Sequence, residues 1–357
     1  MFKTLAKKKL LIIASNFPPS DRVGGVIRIS KLIKYLNNYN WSLFVITTLK
    51  GSNNLSLNLF NELKSKCVTY RVPEFDIRKI YHFFKLKLTR KSFTKTEDIN
   101  SNKNNIPISS HFLVPDHLLI WSFIAFLKSI IICLRKKIDL VLVTSPAQSG
   151  LLTGLLLKFF LRKTLIVDYR DPWTTNAFHI KRYFTFLNKL EDYLEYLVLK
   201  NADCIVVINR SFISSIQKKF KTLNDAKFKV ITNGFDPEDF SKIKPHFFSY
   251  KTIVHAGNFY FGRSPMKFFK AFSKILSENP SLKKSWQLIL VGSGEEYKNE
   301  IKKLNIVNNV KFLGNVSHKV ALSYILGANI LLLIPGLGKA TMTGKVFEYM
   351  AAKKPIF

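Results

Sequence analysis

Short apolar runs alternate with longer amphipathic stretches along the whole of this chain. The runs lack the polar alternation of a half-exposed strand, so we expect both of their faces to be buried. The stretches between them have helical spacing, as at 28–38 and 182–201. Buried strands separated by helices predict parallel sheets with helices on both sides. The runs predicted as strands are 9–15, 42–48, 139–146, 164–171, 204–209, 229–234, 252–257, 286–292, 310–314, 329–335 and 355–357.

The alternation is interrupted once, around 235–250, where two prolines occur. With 357 residues the chain has room for two domains of ordinary size, each with its own core. We therefore predict an α/β fold of two doubly wound, Rossmann-like parallel-sheet domains. The predicted domains are residues 1–237 and 251–357, joined by a linker at 238–250.

The formal net charge is +33, from 56 Lys and Arg against 23 Asp and Glu. A bias toward A/T-rich codons would explain part of this excess, since Lys far outnumbers Arg and since Asn, Ile and Phe are plentiful. The rest favours an anionic partner: ligand phosphates, nucleic acid or a negatively charged membrane face. A basic nucleic-acid-binding α/β protein is a competing hypothesis, although the cations extend along the whole chain and no RNP, KH or helix-turn-helix signature occurs.

The cysteines Cys67, Cys133 and Cys204 are far apart, odd in number, and without CxxC or nearby-His spacing. This pattern argues against a disulfide framework or a zinc site and favours a reducing interior. The seven histidines are scattered. His255, inside an apolar run, is interpreted as a core histidine whose hydrogen bonds are satisfied. No cluster has metal-ligand spacing, so no metal is expected.

Three apolar segments resemble targeting or membrane segments. The run LLIIA at 10–14 is too short for a signal-peptide core and precedes two prolines, so it is predicted as a buried strand. The segments 118–134 and 151–161 contain Lys128 and Lys158, and the longer one falls short of a comfortable span. We therefore predict two helices that are buried or lie against a membrane surface rather than crossing it.

Two loops of the first domain carry candidate functional residues, because ligands of doubly wound sheets bind beyond the carboxyl ends of the strands. After the first strand, Gly24 and Gly25 let a ligand approach the backbone, and the helix start that follows offers N–H groups to an anion. An ordinary tight turn is the alternative. After the strand at 164–171, Arg170 and Asp171 either pair with each other and hold the loop, or face the interdomain cleft. There the carboxylate could orient a hydroxyl or accept its proton.

Two loops of the second domain could bind a diphosphate and a ring. HAGNFYFGRSPMKF at 255–268 supplies Gly257, Asn258 and the cation of Arg263, which could neutralise a diphosphate leaving group. VGSGEE at 291–296 is either a plain turn or, through Gly292 and Gly294, a backbone surface suited to a flat ring.

A third loop leads into GKVFEYMAAKKP at 344–355. The helix that starts near Gly344 presents N–H groups, and Lys345 adds charge, so the pattern predicts an anion site. Glu348, one turn further, could accept hydrogen bonds from two vicinal hydroxyls, such as those of ribose. Alternatively it is only a partner of the helix dipole.

The order of these motifs resembles that of the retaining, GT-B-fold glycosyltransferases of family four. The resemblance covers nearly the whole chain and points to the WbuB-type branch that builds bacterial surface polysaccharides, such as lipopolysaccharide and capsule. It implies that the second domain binds a nucleotide sugar and the first a lipid-linked saccharide acceptor, with closure of the cleft between them. The motifs are FPPSDRVGGVIR, VPDHLLIW, VTSPAQSGLLTG, VDYRDPWT, NADCIVVIN, VITNGFDPEDF, HAGNFYFGRSP, LILVGSGEE, VKFLGNVSH and GKVFEYMAAKKPI.

The resemblance also implies roles for individual residues. Arg170 and Asp171 lie where many relatives have a cleft-facing His and are the candidate catalytic residues. Glu348 would hold the ribose hydroxyls. The implied reaction is a front-face displacement with retention by a hexosyl- or N-acetylhexosaminyltransferase, without cofactor or metal, in which the leaving phosphate helps to remove the acceptor's proton. The residues assigned to donor binding are Gly24, Gly25, Gly257, Asn258, Arg263, Gly292, Gly294, Thr343, Gly344, Lys345 and Glu348.

The chain departs from the family pattern in two places. Many relatives have a second Glu eight residues before the ribose-binding one, where this chain has Ala340. Relatives also continue beyond KPIF with further elements, so the second domain is expected to be incomplete at Phe357. A truncated, inactive remnant of such an enzyme is therefore an alternative expectation.

A basic amphipathic segment, IRKIYHFFKLKLTRKSFTK at 77–95, intersperses cations with large apolar residues at roughly helical spacing. Such a surface suits anionic lipid headgroups, and a solvated helix or a loop is the alternative. The protein is expected to be cytoplasmic and peripheral on the inner membrane face, with no nucleic-acid partner.

Overall fold

The computed structural model describes residues 7–19, 23–49, 54–74, 112–176, 179, 181–259, 263–336 and 344–357; of 23–24 and 54–58 it describes the backbone alone. The chain divides into two compact units, Met1–Thr232 and Asn233–Phe357. Each unit is built on one parallel sheet. The predicted fold class, α/β with two doubly wound parallel sheets, is confirmed.

The first unit contains a seven-stranded sheet in the order β3-β2-β1-β4-β5-β6-β7. Neighbouring strands all pair in parallel. The order reverses between β1 and β4, which is the kind of position where doubly wound sheets bind ligands. Its elements are β1 Lys8–Ile13, α1 Val23–Asn38, β2 Trp41–Thr48, α2 Asn54–Leu63, β3 Cys67–Val72, α3 Leu119–Lys136, β4 Leu140–Thr144, α4 Gln148–Leu161, β5 Thr164–Asp168, α5 Thr185–Asn201, β6 Cys204–Val207, α6 Arg210–Lys219 and β7 Phe228–Val230.

Strand β1 lies in the middle of this sheet and is buried on both faces. Leu11 pairs with Phe44 of β2 on one side and with Val141 of β4 on the other. From Leu10 to Ile13 each side chain is at most 3% exposed. Burial of a large aliphatic side chain stabilises the folded state by about 1.5–3 kcal/mol. The continuous apolar run of the sequence therefore has a direct cause in this central position.

Strand β3 is an edge strand that the apolar-run criterion did not identify. It pairs only with β2. Thr69 and Arg71 alternate with apolar residues, and Val68 is half exposed. Most residues of this edge strand are only half-buried, and its polar residues interrupt the apolar run, which distinguishes it from the buried central strands.

The second unit contains a four-stranded sheet in the order β10-β9-β8-β11. The residues predicted as the last strand pair with β11, because Leu331 N donates to Pro355 O (2.8 Å) and Phe357 N donates to Leu331 O (2.9 Å). They form a single parallel bridge, Leu331–Ile356. Its elements are α7 Pro237–Ser241, β8 Lys251–Gly257, α8 Met266–Glu278, α9 Pro280–Ser285, β9 Trp286–Gly292, α10 Lys298–Lys303, β10 Val310–Gly314, α11 His318–Gly327, β11 Ile330–Leu331 and α12 Lys345–Ala352.

The residues interpreted as a linker pack on the second unit. Pro237–Ser241 forms α7, with Asp236 as its N-cap. Phe240, Ile243 and Phe248 contact the core cluster that includes Val254. The compact units divide between Thr232 and Asn233, so this segment is part of the second unit.

Helix α12 is fixed to its sheet by Tyr349, which is fully buried. The Tyr349 hydroxyl accepts a hydrogen bond from Ala256 N (2.8 Å) and donates to Leu332 O (3.3 Å). Burial raises the pKa of this phenol well above its ordinary value. One side chain therefore ties the helix to the carboxyl-terminal half of β8 and to the residue after β11.

The two segments weighed as membrane helices, 118–134 and 151–161, correspond to α3 and α4, which pack against each other. Within the described ranges, no helix combines the length and the apolarity that a membrane crossing requires.

Candidate functional site

Asp168, at the carboxyl end of β5, anchors this edge of the first unit. It is only 2% exposed, and Arg28 of α1 pairs with it at 3.0 Å. Thr144 Oγ1, at the end of β4, donates to its second oxygen (2.9 Å). Arg28 also donates to the carbonyl oxygens of Ile231 (3.0 Å) and Thr232 (2.9 Å). The buried charge is thus compensated, and one arginine connects α1, β5 and the chain after β7.

Arg170 and Asp171 form the mutual ion pair that was one of the two sequence interpretations. Arg170 Nη2 lies 2.8 Å and Nε 3.2 Å from Asp171 Oδ2. The Asp171 side chain is 43% exposed, so its carboxylate also meets solvent. The pair holds the loop, and a carboxylate oxygen remains accessible to a ligand.

Gly24 and Gly25 lie in the first turn of α1, which begins at Val23. Both sequence interpretations placed these glycines in the loop before the helix, and that placement is wrong. A Cβ at Gly25 would overlap Nη1 of Arg170. The structure thus brings Gly25 and Arg170 together, and the glycine lets the guanidinium pack against the helix in this position.

Two buried glutamates of α5 support the loop that carries Arg170. Tyr169 donates its hydroxyl hydrogen to Glu195, and its oxygen accepts from Trp173 N (2.7 Å). Trp173 Nε1 donates to Glu191 Oε1 (2.8 Å). Hydrogen bonds to α5 therefore hold Tyr169 and Trp173, the residues on either side of the Arg170–Asp171 loop.

The two glutamates differ in their pKa values. Burial would raise the pKa of Glu191, but hydrogen bonds from His179, Arg182 and Trp173 and the charge of Arg182 together lower it to about 2. Burial dominates at Glu195 and raises the pKa of that carboxyl, despite the contacts with Thr174, Tyr169 and Lys219 that act in the opposite direction. Sequence spacing gave no sign of this network, because its members come from two distant segments.

In the second unit, the ends of β8 and β9 are bound to each other. Asn258 Oδ1 accepts from Ser293 N (2.8 Å), and Ser293 Oγ accepts from Phe259 N (2.6 Å). Gly292 has a φ of +113°, and a Cβ there would lie 2.7 Å from Asn258 Oδ1. The structure therefore brings Gly257, Asn258 and Gly292 together, with the Asn258 amide oxygen used inside the protein.

Gly294 lies in the turn that follows, with a φ of +149°. Its N–H donates to Glu296 Oε2 (2.8 Å). A Cβ at this position would lie 2.8 Å from a methyl group of Leu290. The positive φ and the close packing on Leu290 both favour glycine here, so its presence is explained without a ligand.

Helix α12 places two predicted residues side by side. Gly344 is its N-cap, and Lys345 Nζ lies 2.7 Å from Glu348 Oε2. His318, at the start of α11, lies with Nε2 3.1 Å from Glu348 Oε1. Burial would raise the pKa of Glu348, but the hydrogen bond with His318 and the charge of Lys345 outweigh it and lower the pKa. His318 is a further candidate residue, identified by this contact, that the sequence analysis missed.

His255 occupies the carboxyl-terminal half of β8 and is 5% exposed. Its Nδ1 lies 2.8 Å from Leu332 O, so Nδ1 carries the hydrogen and donates. Its ring stacks on Phe259 with centroids 4.6 Å apart. Among the described residues, Nε2 has no hydrogen-bond partner, and it lies 3.5 Å from where a Cβ of Gly257 would be. The prediction of a core position is correct, but only one ring nitrogen is satisfied.

The charges of Arg263 and Lys345 both act on His255. Burial lowers the pKa of the imidazole to about 4; the Leu332 carbonyl opposes this shift, and the two cations reinforce it. Arg263 follows β8 and Lys345 begins α12. Cations from two separate elements thus favour the neutral form of this imidazole.

The predicted donor-binding residue Thr343, the departure from the family pattern at Ala340 and the basic amphipathic segment 77–95 lie outside the described residues. Among the residues that are described, no three His, Cys, Asp or Glu side chains group as metal ligands.

Two family models match this chain. Residues 88–239 match Glycosyltransferase Family 4, and residues 250–357 match Glycosyl transferases group 1. Protein CapJ of Staphylococcus aureus is 25% identical over 190 residues. That alignment covers 53% of this chain and 46% of CapJ, so the chain spans less than half of the length of this relative.

Solved structures of low sequence identity share the fold. Sucrose-phosphate synthase from Thermosynechococcus elongatus has a TM-score of 0.61 at 14% identity, covering 98% of this chain and 80% of its own. WaaG, a glycosyltransferase involved in lipopolysaccharide biosynthesis, has a TM-score of 0.56 at 13% identity, covering 97% and 80%. The two family models and the GT-B fold together support a glycosyltransferase of the family-four type.

Proposed function

We propose that this chain is a retaining glycosyltransferase that moves a sugar from a nucleotide-sugar donor to a lipid-linked glycan. The second unit would hold the donor and the first the acceptor. The transferred group would be a hexosyl or N-acetylhexosaminyl residue, and the product would belong to a bacterial surface polysaccharide. The proposal goes beyond the family matches in its mechanism, donor and acceptor.

The observation that carries the proposal is the group of charges at the carboxyl edge of the second sheet. Lys345 Nζ lies 2.7 Å from Glu348 Oε2, and His318 Nε2 lies 3.1 Å from the other oxygen of that carboxylate. Arg263 follows β8, whose carboxyl end belongs to the same edge. Cations at a helix start suit a diphosphate, while an ionised carboxylate one turn further suits neutral hydroxyl donors. One nucleoside diphosphate would satisfy both requirements, with its phosphates at Lys345 and its ribose at Glu348.

The proposed reaction is a front-face displacement. The bond between the anomeric carbon and the donor phosphate oxygen breaks, and a bond from the acceptor oxygen to the same face of that carbon forms. The acceptor's proton passes to the departing phosphate oxygen. Arg263 and Lys345 would neutralise the negative charge that develops on the nucleoside diphosphate, so the chemistry requires no metal.

In the first unit, Asp171 would orient the acceptor. Its carboxylate is partly exposed, and Arg170 fixes it through the 2.8 Å contact. A carboxylate held in this way can accept a hydrogen bond from a sugar hydroxyl. The packing of Arg170 on Gly25 and the hydrogen bonds to the supporting glutamates would keep the Asp171 carboxylate in place.

A lipid-linked acceptor would locate the protein at the inner membrane face as a peripheral protein. The net charge of +33 supports this setting, because anionic lipids attract basic proteins. WaaG, which shares the fold, acts in lipopolysaccharide biosynthesis. The relation of this chain to lipopolysaccharide or capsule synthesis is part of the proposal.

Thermal shift with a panel of uridine and guanosine diphosphate sugars tests the proposed donor. A ligand that binds only the folded protein raises the melting temperature. We expect one nucleotide class to do so, and Lys345→Met to weaken its binding about tenfold or more. Lys274→Met is the matched control, because its side chain is 76% exposed on α8. A folded sample that no nucleotide sugar stabilises would contradict the proposal.

The configuration of the product tests the mechanism. With a donor identified, NMR of the glycoside formed on a lipid-linked acceptor should show the anomeric configuration of the donor. An inverted product would reject front-face displacement and leave donor binding intact.

A further inference from the structure

The outward face of α3 is apolar. Its exposed side chains include Leu119, Phe123, Leu127, Ile131 and Leu134, of which Phe123 and Leu134 are 58% and 63% exposed. In a helix that packs on a sheet, this face normally carries polar residues. The apolar surface of α3 is therefore larger than packing within the first unit requires.

These five residues recur at intervals of three or four and form one stripe along the helix. Trp121, Ala125, Ser129 and Ile132 are buried, and at about 100° per residue they lie on the opposite side. The stripe is about 22 Å long at 1.5 Å per residue. It points directly away from the core rather than lying at the edge of a packed face.

The charges on α3 all have one sign. The helix contains Lys128, Arg135 and Lys136, all exposed, and its sequence has no acidic residue. Lysine and arginine can bury their methylene groups beside an apolar surface while the charged ends reach anionic groups. Lys128 and Arg135 border the stripe, whereas Lys136 lies on the side of the buried residues at the end of the helix. The apolar stripe and these two bordering cations thus fit a surface that is apolar inside and anionic outside.

Exposed aromatic residues extend the stripe at the far end of α4. Phe160 lies with its ring 5.6 Å from that of Phe126 in α3, and both Phe159 and Phe160 are exposed.

A second aromatic group lies beyond the start of α3. Phe112 contacts the rings of Tyr183 (6.2 Å) and Phe184 (5.8 Å), and Phe184 stacks on Phe186. Arg182 Nη2 donates to Pro115 O (2.7 Å), which ties this group to the chain that enters α3.

We propose that this surface, the α3 stripe with its flanking aromatic residues, lies on an anionic lipid bilayer. Apolar side chains would enter the boundary between headgroups and acyl chains, and the cations would meet the phosphates. Nucleic acid would contact the cations but not the stripe. The inference rests on the membrane setting of the proposed function, but its test requires neither donor nor acceptor, so the two can fail separately.

Co-sedimentation with vesicles of phosphatidylcholine, with and without phosphatidylglycerol, tests the surface on the full chain. We expect binding to the anionic vesicles, part of which persists at high salt because apolar insertion is not screened. Phe123→Glu should lower the partition coefficient about tenfold or more, because the free energy of burying one Phe side chain corresponds to at least a tenfold change in that coefficient. Phe247→Glu is the matched control: the same change at an 87% exposed Phe of the second unit.

Three results would overturn the proposal. Equal losses in the two variants would show that net charge alone attracts the protein. A wild-type dimer that Phe123→Glu dissociates, without vesicle binding, would assign the stripe to a second copy of the chain. A drop in melting temperature confined to Phe123→Glu, again without vesicle binding, would show that another part of the same chain covers the stripe.

Discussion

Lys345 Nζ lies 2.7 Å from Glu348 Oε2, within one turn of α12. His318 Nε2 approaches the other carboxylate oxygen at 3.1 Å. These contacts overcome the effect of burial and lower the pKa of Glu348, so the side chain is a carboxylate at neutral pH. A diphosphate bound at Lys345 would compete with Glu348 for the ammonium group, which couples the two halves of the proposed donor site.

Replacement of Glu348 by Gln should weaken nucleotide binding selectively at the ribose. The variant loses charge-assisted hydrogen bonds, for which we expect about a tenfold increase in Kd. Calorimetric titration with a nucleoside diphosphate and with its 2′-deoxy analogue measures the effect. The wild type should prefer the ribonucleotide, and the variant should discriminate much less.

Glu278→Gln, at an exposed position of α8, is the control for loss of one negative charge. If Glu348→Gln discriminated against the deoxy analogue as strongly as the wild type does, Glu348 would have a purely structural role.

Gly25→Ala should destabilise the first unit through Arg170. The added methyl group would overlap the guanidinium, and overpacking of this kind costs about 1–3 kcal/mol. In an Arg170→Ala background the same change should be neutral or stabilising by up to about 1 kcal/mol, as is usual for Gly→Ala within a helix. Chemical denaturation of the four proteins of this double-mutant cycle measures the coupling.

Gly150→Ala is the matched helical control, because a Cβ there would lie at an ordinary 3.7 Å from Trp121. If Gly25→Ala had the same effect in both Arg170 backgrounds, the proximity of these two residues would be refuted.

Acid should remove a stabilising contribution of Glu191. Its pKa is about 2 in the folded protein against an ordinary 4.5, so the carboxylate form is favoured by folding. The contribution, about 3 kcal/mol, is complete above pH 4.5 and declines as the pH falls toward 2. The difference in unfolding free energy between the wild type and Glu191→Gln should therefore shrink over that range, as followed by urea denaturation. A difference independent of pH would contradict the shift.

His255 should remain neutral throughout the physiological range. Burial, with the charges of Arg263 and Lys345, lowers its pKa to about 4. Nitrogen-detected NMR should show one unchanging tautomer, protonated at Nδ1, from about pH 8 to pH 5. Since folding favours the neutral ring, its contribution to stability is complete above about pH 6.5 and is lost as the pH falls through 4. A titration midpoint near 6.5 would contradict the burial described above.

The sheets could be predicted from sequence because central parallel strands leave a strong local pattern. The run at 9–15 contains no polar alternation, and β1 is buried on both faces there. Strand β3 gives a weaker signal because most of its residues are only half-buried at the edge of the sheet, where Thr69 and Arg71 interrupt the apolar run. The predicted strands extended too far at their carboxyl ends. The strand predicted at 164–171, for example, ends at Asp168 in β5, and the next residues form the loop that carries Arg170.

The sequence pointed to candidate positions that belong to a local motif, such as Gly292 in its glycine turn and Glu348 one turn into α12. Arg28 and His318 were missed because their partners are far along the chain. Arg28 meets Asp168, and His318 meets a carboxylate of another helix. Neither residue belongs to a local motif, so only the folded arrangement reveals the pairs.

The hydrogen bonds of the Tyr349 hydroxyl limit how the proposed donor site can change. Tyr349 and Glu348 are adjacent in α12, so the buried anchor and the charges share one rigid element. Sliding that helix to fit a larger sugar would break hydrogen bonds to both Ala256 and Leu332. In the proposed donor site, selection for a new sugar would therefore act on the loops around a helix that keeps the nucleotide end in place. The transferred sugar and the nucleotide that carries it would then evolve separately.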